Sequence, residues 1–148
     1  MLDAICEITG VPESYSGMPP ESRAKELWTT RIGSLFLDAF GRPDPNQDPP
    51  CERTPDTTVV QSLHLMNSEN LYKKVTDNKG WAAELAESKR TPEEIVQQLY
   101  LAIYSRTPDS EERVIGRGLF QKKGTTRRQA VEDLMWALIN TPEFVFKD

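Results

Sequence analysis

Apolar side chains recur at helical spacing between residues 92 and 105. They form one stripe that consists of Ile95, Val96, Leu99, Ala102 and Ile103. Such a stripe is typical of an amphipathic helix. The preceding Thr91-Pro92-Glu93-Glu94 supplies an N-cap threonine, a proline at the first helical position and a glutamate that can reach back to the cap amide. Pattern and cap therefore predict a helix over residues 92–105.

A second helical pattern follows at once. It opens with Thr107-Pro108-Asp109-Ser110-Glu111-Glu112, in which the same rule makes Thr107 the expected N-cap. Gly116 and Gly118 each weaken a helix by about 1 kcal/mol relative to alanine, so we expect its far end to fray before Gly124 closes it. The expected buried stripe of this helix consists of Val114, Ile115, Leu119 and Phe120.

The segment 127–140 is apolar on most of its circumference, which predicts a central, mostly buried helix capped by Thr125 or Thr126. Thr141-Pro142-Glu143 then begins a short terminal turn. This turn delivers Phe144 and Phe146 to the core. The apolar positions of the central helix are Ala130, Val131, Leu134, Met135, Ala137, Leu138 and Ile139.

Upstream the pattern is weaker but still mainly helical. Helices are expected over residues 21–28, 57–67, 71–75 and 80–87, and residues 29–40 suit a strand or a helix. Residues 41–55 form a proline-rich loop. The predicted fold is mainly α, a single-domain bundle of about six helices over residues 1–148. Because residues 2–10 are typical of the last turns of a helix, we expect the chain to be a C-terminal fragment of a larger protein.

The Thr-Pro-acid phrase occurs four times, at Thr54, Thr91, Thr107 and Thr141. Unequal spacings argue against a structural repeat. Threonine, proline and an acidic residue are the favoured first residues of a helix, so the phrase indicates helix starts rather than a docking or phosphorylation motif.

Composition excludes several classes of function. A formal net charge of −5 disfavours binding to nucleic acid. No apolar run is long enough to span a membrane, and no signal peptide begins the chain. With two cysteines and one histidine, the sequence cannot form a zinc-finger cluster or attach a c-type haem covalently, so no metal is expected.

The candidate binding residues are Cys51, Glu52, Arg53 and His64. A thiol near an arginine and a helix start can have a lowered pKa and act as a nucleophile or redox group, and His64 could fold back toward it. The alternative is a packed or disulfide-bonded Cys51, a local Glu52–Arg53 ion pair and a hydrogen-bonded His64 on an apolar helix. We favour this alternative because no second histidine or other base lies near Cys51 in the sequence.

Other constellations also have structural explanations. The basic residues Arg117, Lys122, Lys123, Arg127 and Arg128 could hold an anionic glycan, but cations at the end of the preceding helix are the simpler interpretation. Trp28, Trp81 and Trp136 could form a sugar platform, although Trp136 suits the core. The pairs Glu93–Glu94 and Glu111–Glu112 are expected to be capping carboxylates rather than general acids.

Three stretches together resemble a known family. They are "FLDAFGRP" followed by "CERT", then "TTVVQSLHLMN", then "TPEEIVQQLYLAIYSRTPDSEE" with "AVEDLMWALINTPEFVF". This series resembles the PSD-type domain of unknown function found in planctomycete proteins. The resemblance runs over nearly the whole chain and corresponds to the C-terminal part of the family domain.

In that family the domain typically lies C-terminal to a c-type cytochrome-like domain in large exported proteins. The resemblance therefore implies a periplasmic or extracellular location, a haem only in a neighbouring domain, and conditions that allow a Cys6–Cys51 disulfide. It implies no catalytic residues. The family often carries Cys-x-Cys-Glu-Arg, whereas Pro49 takes the place of the first cysteine, so a metal or redox cysteine pair is not expected.

Two hypotheses result. The leading one is a non-catalytic interaction or structural module whose partners are the neighbouring domains of a cytochrome-associated protein. The runner-up is an enzymatic or ligand-binding domain that acts on polysaccharide, an acidic one in particular, with its site near residues 51–53 and His64. An enzyme requires these side chains to converge in a pocket, whereas a packing module scatters or buries them.

Overall fold

The computed structural model describes residues 1–29, 31–42 and 68–145. Within these ranges it contains eight α-helices, one 3-10 turn at Ala24–Glu26 and no strand. The prediction of a mainly α fold is confirmed. The helices are α1 (Leu2–Thr9), α2 (Leu35–Ala39), α3 (Glu69–Val75), α4 (Trp81–Glu87), α5 (Pro92–Tyr104), α6 (Ser110–Gln121), α7 (Arg127–Ile139) and α8 (Pro142–Val145).

The caps of α5 and α7 form as the sequence predicts. Thr91 accepts a hydrogen bond from the Glu94 amide at 3.3 Å, and the Glu94 carboxylate accepts one from the Thr91 amide at 2.6 Å. For α7 the cap is Thr126 rather than Thr125, because Gln129 completes the same reciprocal pair with Thr126. Glu93 and Glu94, which follow the α5 cap, are helix-start residues, as expected.

The start of α6 differs from the prediction. The N-cap is Asp109, not Thr107, and helix begins at Ser110. The Asp109 carboxylate accepts a hydrogen bond from the Glu112 amide at 2.8 Å, and the Glu112 carboxylate accepts one from the Asp109 amide at 2.8 Å. A cap at Thr107 would place Ser110 at the third helical position, where no carboxylate could return the bond. The complete capping box therefore moves the helix start two residues along the chain.

The face that α6 buries agrees with the prediction only in part. Leu119 and Phe120 pack against the core as expected. Val114 and Ile115, expected in the core, are 70% and 69% exposed, whereas Gly116 is buried. A Cβ atom at Gly116 would lie 2.8 and 2.9 Å from the two methyl carbons of Val96. The bare glycine thus lets α6 pack closely on α5, and this contact turns Val114 and Ile115 toward solvent.

The core is centred on α7, as its wide apolar coverage predicts. This helix packs against α3, α4, α5, α6 and α8. Phe144, in α8, is buried as predicted. The buried residues of α7 are Ala130, Val131, Leu134, Met135, Leu138 and Ile139.

At the other end of the chain, α1 packs against α3 and α4. It ends at Gly10, which takes the left-handed conformation (φ 69°) of a helix C-cap, as predicted. Residues 29–40 contain the short helix α2, and only one 3-10 turn forms within residues 21–28. The predicted helix 57–67, most of the proline-rich loop and Phe146 lie outside the described residues.

Candidate functional site

The four residues proposed from sequence as a binding site, Cys51, Glu52, Arg53 and His64, all lie outside the described residues. Their convergence therefore stays a prediction. Cys6, the other cysteine, is a free thiol at the surface of α1 that is partly exposed. Burial raises the pKa of this thiol, which opposes nucleophilic activity at neutral pH.

A groove of about 600 Å³ opens where α1, α4, α5 and α8 meet. We call it the Trp81 groove. Trp81 begins α4, beside two glycines. A Cβ atom at Gly80 would lie 3.1 Å from the Thr9 carbonyl oxygen, and Gly10 has the positive φ of 69° that ends α1 next to the Trp81 nitrogen. The end of α1 and the start of α4 can therefore lie side by side.

The Trp81 groove has an apolar interior and a charged rim. Exposed Glu7, Lys79 and Glu84 provide the charges. Such a surface can bind an apolar segment, with the rim selecting by charge. The apolar lining residues are Ala4, Ile8, Trp81, Ala102, Ile103 and Phe144.

A second groove, of about 700 Å³, lies between α3 and α7 and is lined by Tyr72 and Trp136. Its polar groups are largely engaged in local structure. Glu132 pairs with Arg128 at 2.6 Å, and Gln129 completes the α7 capping box. Trp136 lines this groove and Trp81 lines the other, so the three tryptophans do not form one platform.

The basic cluster of the sequence is dispersed in the structure. Arg127 donates to the carbonyl oxygens of Ala86, Ser88 and Arg90 at 2.8, 3.1 and 2.6 Å. It thereby satisfies carbonyl groups at and beyond the end of α4. The expectation from sequence was different, since it placed these cations at the end of the preceding helix, α6. Arg117 pairs with Glu93 at 2.8 Å. These two arginines have partners in different parts of the fold, so they do not share an anion site.

Sequence reasoning missed the main charged cluster of the described fold. The Arg106 guanidinium makes hydrogen bonds of 2.8 Å to Glu112 and of 2.7 Å to Glu143. It also lies 5.4 and 5.3 Å from the ring centroids of Tyr100 and Tyr104. The bonds from Arg106 lower the pKa of Glu112 to about 2. This arrangement ties α6 to α8 and offers no free group for chemistry.

A family model supports the resemblance that the sequence motifs suggest. Residues 22–120 match the model of PSD1, described as a protein of unknown function (DUF1553). The chain belongs to the PSD1 family. No curated protein and no solved structure matches this PSD1 chain.

The segment of the PSD1 chain that matches the family model includes the predicted residues 51–53 and His64. It also includes Trp81 and Ala102 of the Trp81 groove, whereas Ile8 and Phe144 lie outside it. Among the described residues, no group of three or more histidine, cysteine or acidic side chains could hold a metal ion. No helix in these ranges combines the length and apolar character that a membrane span requires.

Proposed function

We propose that this chain is a non-catalytic helical interaction module of a larger exported, cytochrome-associated protein. In this proposal the Trp81 groove receives an apolar segment of a neighbouring domain of the same polypeptide. The observation that carries the proposal is the groove itself, an accessible, largely apolar surface lined by a tryptophan, with exposed charges of Glu7, Lys79 and Glu84 beside it.

The use of the charged groups elsewhere supports a role without catalysis. Glu94 is held in a capping box, and Glu112 is held in another and by Arg106. Lys74 is buried, but it donates at 3.0 Å to the carbonyl oxygens of both Val11 and Pro12. These side chains are all engaged by structural partners. A general acid or base, by contrast, must be free to exchange a proton with the substrate.

The chemistry of the groove defines its occupant. Tryptophan in a concave apolar site is a frequent hot spot of protein interfaces. Two carboxylates and one lysine on the rim favour an apolar segment with basic flanks. The family resemblance supports a cytochrome-like domain, which would carry the haem, as the source of that segment, and it supports a periplasmic or extracellular location.

The test measures binding between this chain and the other domains of its natural polypeptide, produced separately. We expect Ala102→Glu to weaken binding at least about tenfold, since a charge would enter an apolar contact. Ala102 is exposed and lines the groove, so this change leaves the core intact. Gln97→Glu adds the same charge to an exposed position of α5 that does not line the groove, and it should bind normally.

The results separate the two hypotheses. Equal affinities of both variants would reject the Trp81 groove as the docking site. If no domain binds and the melting temperature instead rises with an acidic polysaccharide, the runner-up function is favoured. A polysaccharide shift that disappears in Arg53→Ala or His64→Ala would place that site at the residues predicted from sequence.

A further inference from the structure

The side of α6 that faces away from α5 presents an exposed surface with no partner in the described fold. We call it the α6 face; its members are Glu111, Val114, Ile115, Gly118 and Lys122. All of them are exposed, and a Cβ atom at Gly118 would have no heavy atom within 4 Å. At a helical spacing of about 100° per residue they share one side of the helix. Lys122 follows its last residue.

The central residues of the α6 face are poor choices for a helix surface in water. Valine, isoleucine and glycine all lower helix stability relative to alanine or lysine. Val114 and Ile115 are nonetheless the most exposed large aliphatic side chains of the described structure. Gly118, beside them, has no side chain to cover the backbone. Rigid aliphatic side chains beside a bare glycine suit close contact with another helix, because they lose little side-chain freedom on binding.

The charges at the two ends of the α6 face are complementary to each other. Glu111 lies in the first turn, whereas Lys122 is the residue that follows the helix. Neither side chain forms an ion pair within the described parts of the chain. Glu111 and Lys122 have the same midpoint along the chain as Ile115 and Gly118, between Gly116 and Arg117. A second α6 in antiparallel orientation would therefore place Glu111 opposite Lys122, and Ile115 opposite Gly118.

We propose that the α6 face binds the α6 face of a second copy of this chain, antiparallel about a two-fold axis. In such an isologous contact each charge pair and each Ile115–Gly118 contact occurs twice. A partner of different sequence would have to reproduce this order of charges, whereas a second copy has it already. One helix pair buries less than a standard interface, so we expect a dissociation constant on the order of micromolar or weaker. This contact is independent of the Trp81 groove.

The test is sedimentation equilibrium of the whole chain from micromolar to near-millimolar concentration. We expect a reversible monomer–dimer equilibrium that Ile115→Glu weakens at least about tenfold. Tyr72→Glu is the control, because it changes an exposed apolar side chain on α3 to the same acid and should leave the dimer unchanged. The thermal transition of each variant is measured in parallel to verify folding.

A charge exchange tests the antiparallel orientation. Glu111→Lys and Lys122→Glu should each weaken the dimer, whereas an equimolar mixture of the two single variants should associate again, because both charge pairs become attractive in the mixed dimer. Altered monomer stability cannot produce this rescue. A monomer at all concentrations, a dimer insensitive to Ile115→Glu, or a mixture that stays monomeric would overturn the proposal. The Ala102→Glu binding experiment is unaffected by any of these results.

Discussion

Gly116 and Gly118 are two residues apart in one helix, yet their surroundings are opposite. Gly116 is buried under the methyl groups of Val96, which itself is fully buried and cannot turn away. Gly118 faces open space. The first glycine is therefore required by packing, whereas in the single chain the second carries only the cost in helix propensity that glycine has anywhere in a helix.

This contrast gives a prediction with a matched control. We expect Gly116→Ala to lower the free energy of unfolding by about 1–3 kcal/mol, because overpacking against Val96 outweighs the gain in helix propensity. Gly118→Ala should raise it by about 0.5–1 kcal/mol. Urea unfolding of dilute protein, which keeps the chain monomeric, measures both. Equal stabilisation by the two alanines would mean that α5 and α6 are not in close contact.

At the scale of the element, the helix starts from residue 69 onward were predictable to within a few residues, whereas the helix predicted over residues 21–28 does not form. Thr91 and Glu94 define α5 because proline, acid and periodicity agree there. At α6 the two signals, a Thr-Pro pair and an Asp-x-x-Glu box, lie two residues apart. The box decides because it satisfies two backbone amides reciprocally.

The choice between these two caps can be measured. We expect Asp109→Ala to lower the free energy of unfolding by about 1 kcal/mol, since it removes the N-cap of α6. Thr107→Ala should be nearly neutral, because the Thr107 side chain makes no capping bond in the structure. The unfolding midpoints of the two variants decide the matter. A larger loss of stability from Thr107→Ala would mean that Thr107 is the N-cap, as the sequence predicts.

Helix faces were harder to predict than helix starts. In α7 the apolar positions cover so much of the circumference that most of them must be buried, and the prediction succeeds. In α6 the buried position is a glycine, which contributes nothing to a hydrophobic pattern, so Val114 and Ile115 were assigned to the core instead. The Trp81 groove had no local signal, because its lining comes from four helices far apart in sequence. The binding site predicted at residues 51–53 and His64 stays a prediction, because these residues lie outside the described ranges.

At the scale of the whole molecule, Arg106 connects segments that local patterns treat separately. It follows α5, pairs with Glu112 in α6 and reaches Glu143 in α8. Its planar group can donate two bonds to each carboxylate, which lysine cannot do. The cluster should therefore stabilise the fold at neutral pH and lose this contribution in acid.

The acid sensitivity has a definite direction. The pKa of Glu112 is lowered from 4.5 to about 2, mainly by its bonds with Arg106. In this range the unfolded chain binds more protons than the folded one, so stability falls as the pH decreases from 4.5 toward 2. We expect Arg106→Gln to make this fall shallower and to cost about 0.5–1 kcal/mol at neutral pH.

Chemical denaturation at several pH values provides the comparison. Arg106→Lys is the control for charge, since it keeps a cation but loses the paired donors. The pH dependence of its stability should lie between those of the unaltered chain and Arg106→Gln. Parallel curves for all three proteins would show that Glu112 titrates independently of Arg106.

The distance along the chain between α1 and its packing partners has a consequence for the order of events during folding. The helices from α4 to α8 contact one another over shorter sequence separations than those between α1 and its partners α3 and α4, so their contacts close shorter loops. Lys74 of α3, by contrast, donates a hydrogen bond to the carbonyl oxygen of Val11, just after α1, and the two residues are 63 positions apart in sequence. We therefore expect α1 to join an assembled C-terminal bundle late. Because α1 forms one wall of the Trp81 groove, the groove would be completed only at that last step.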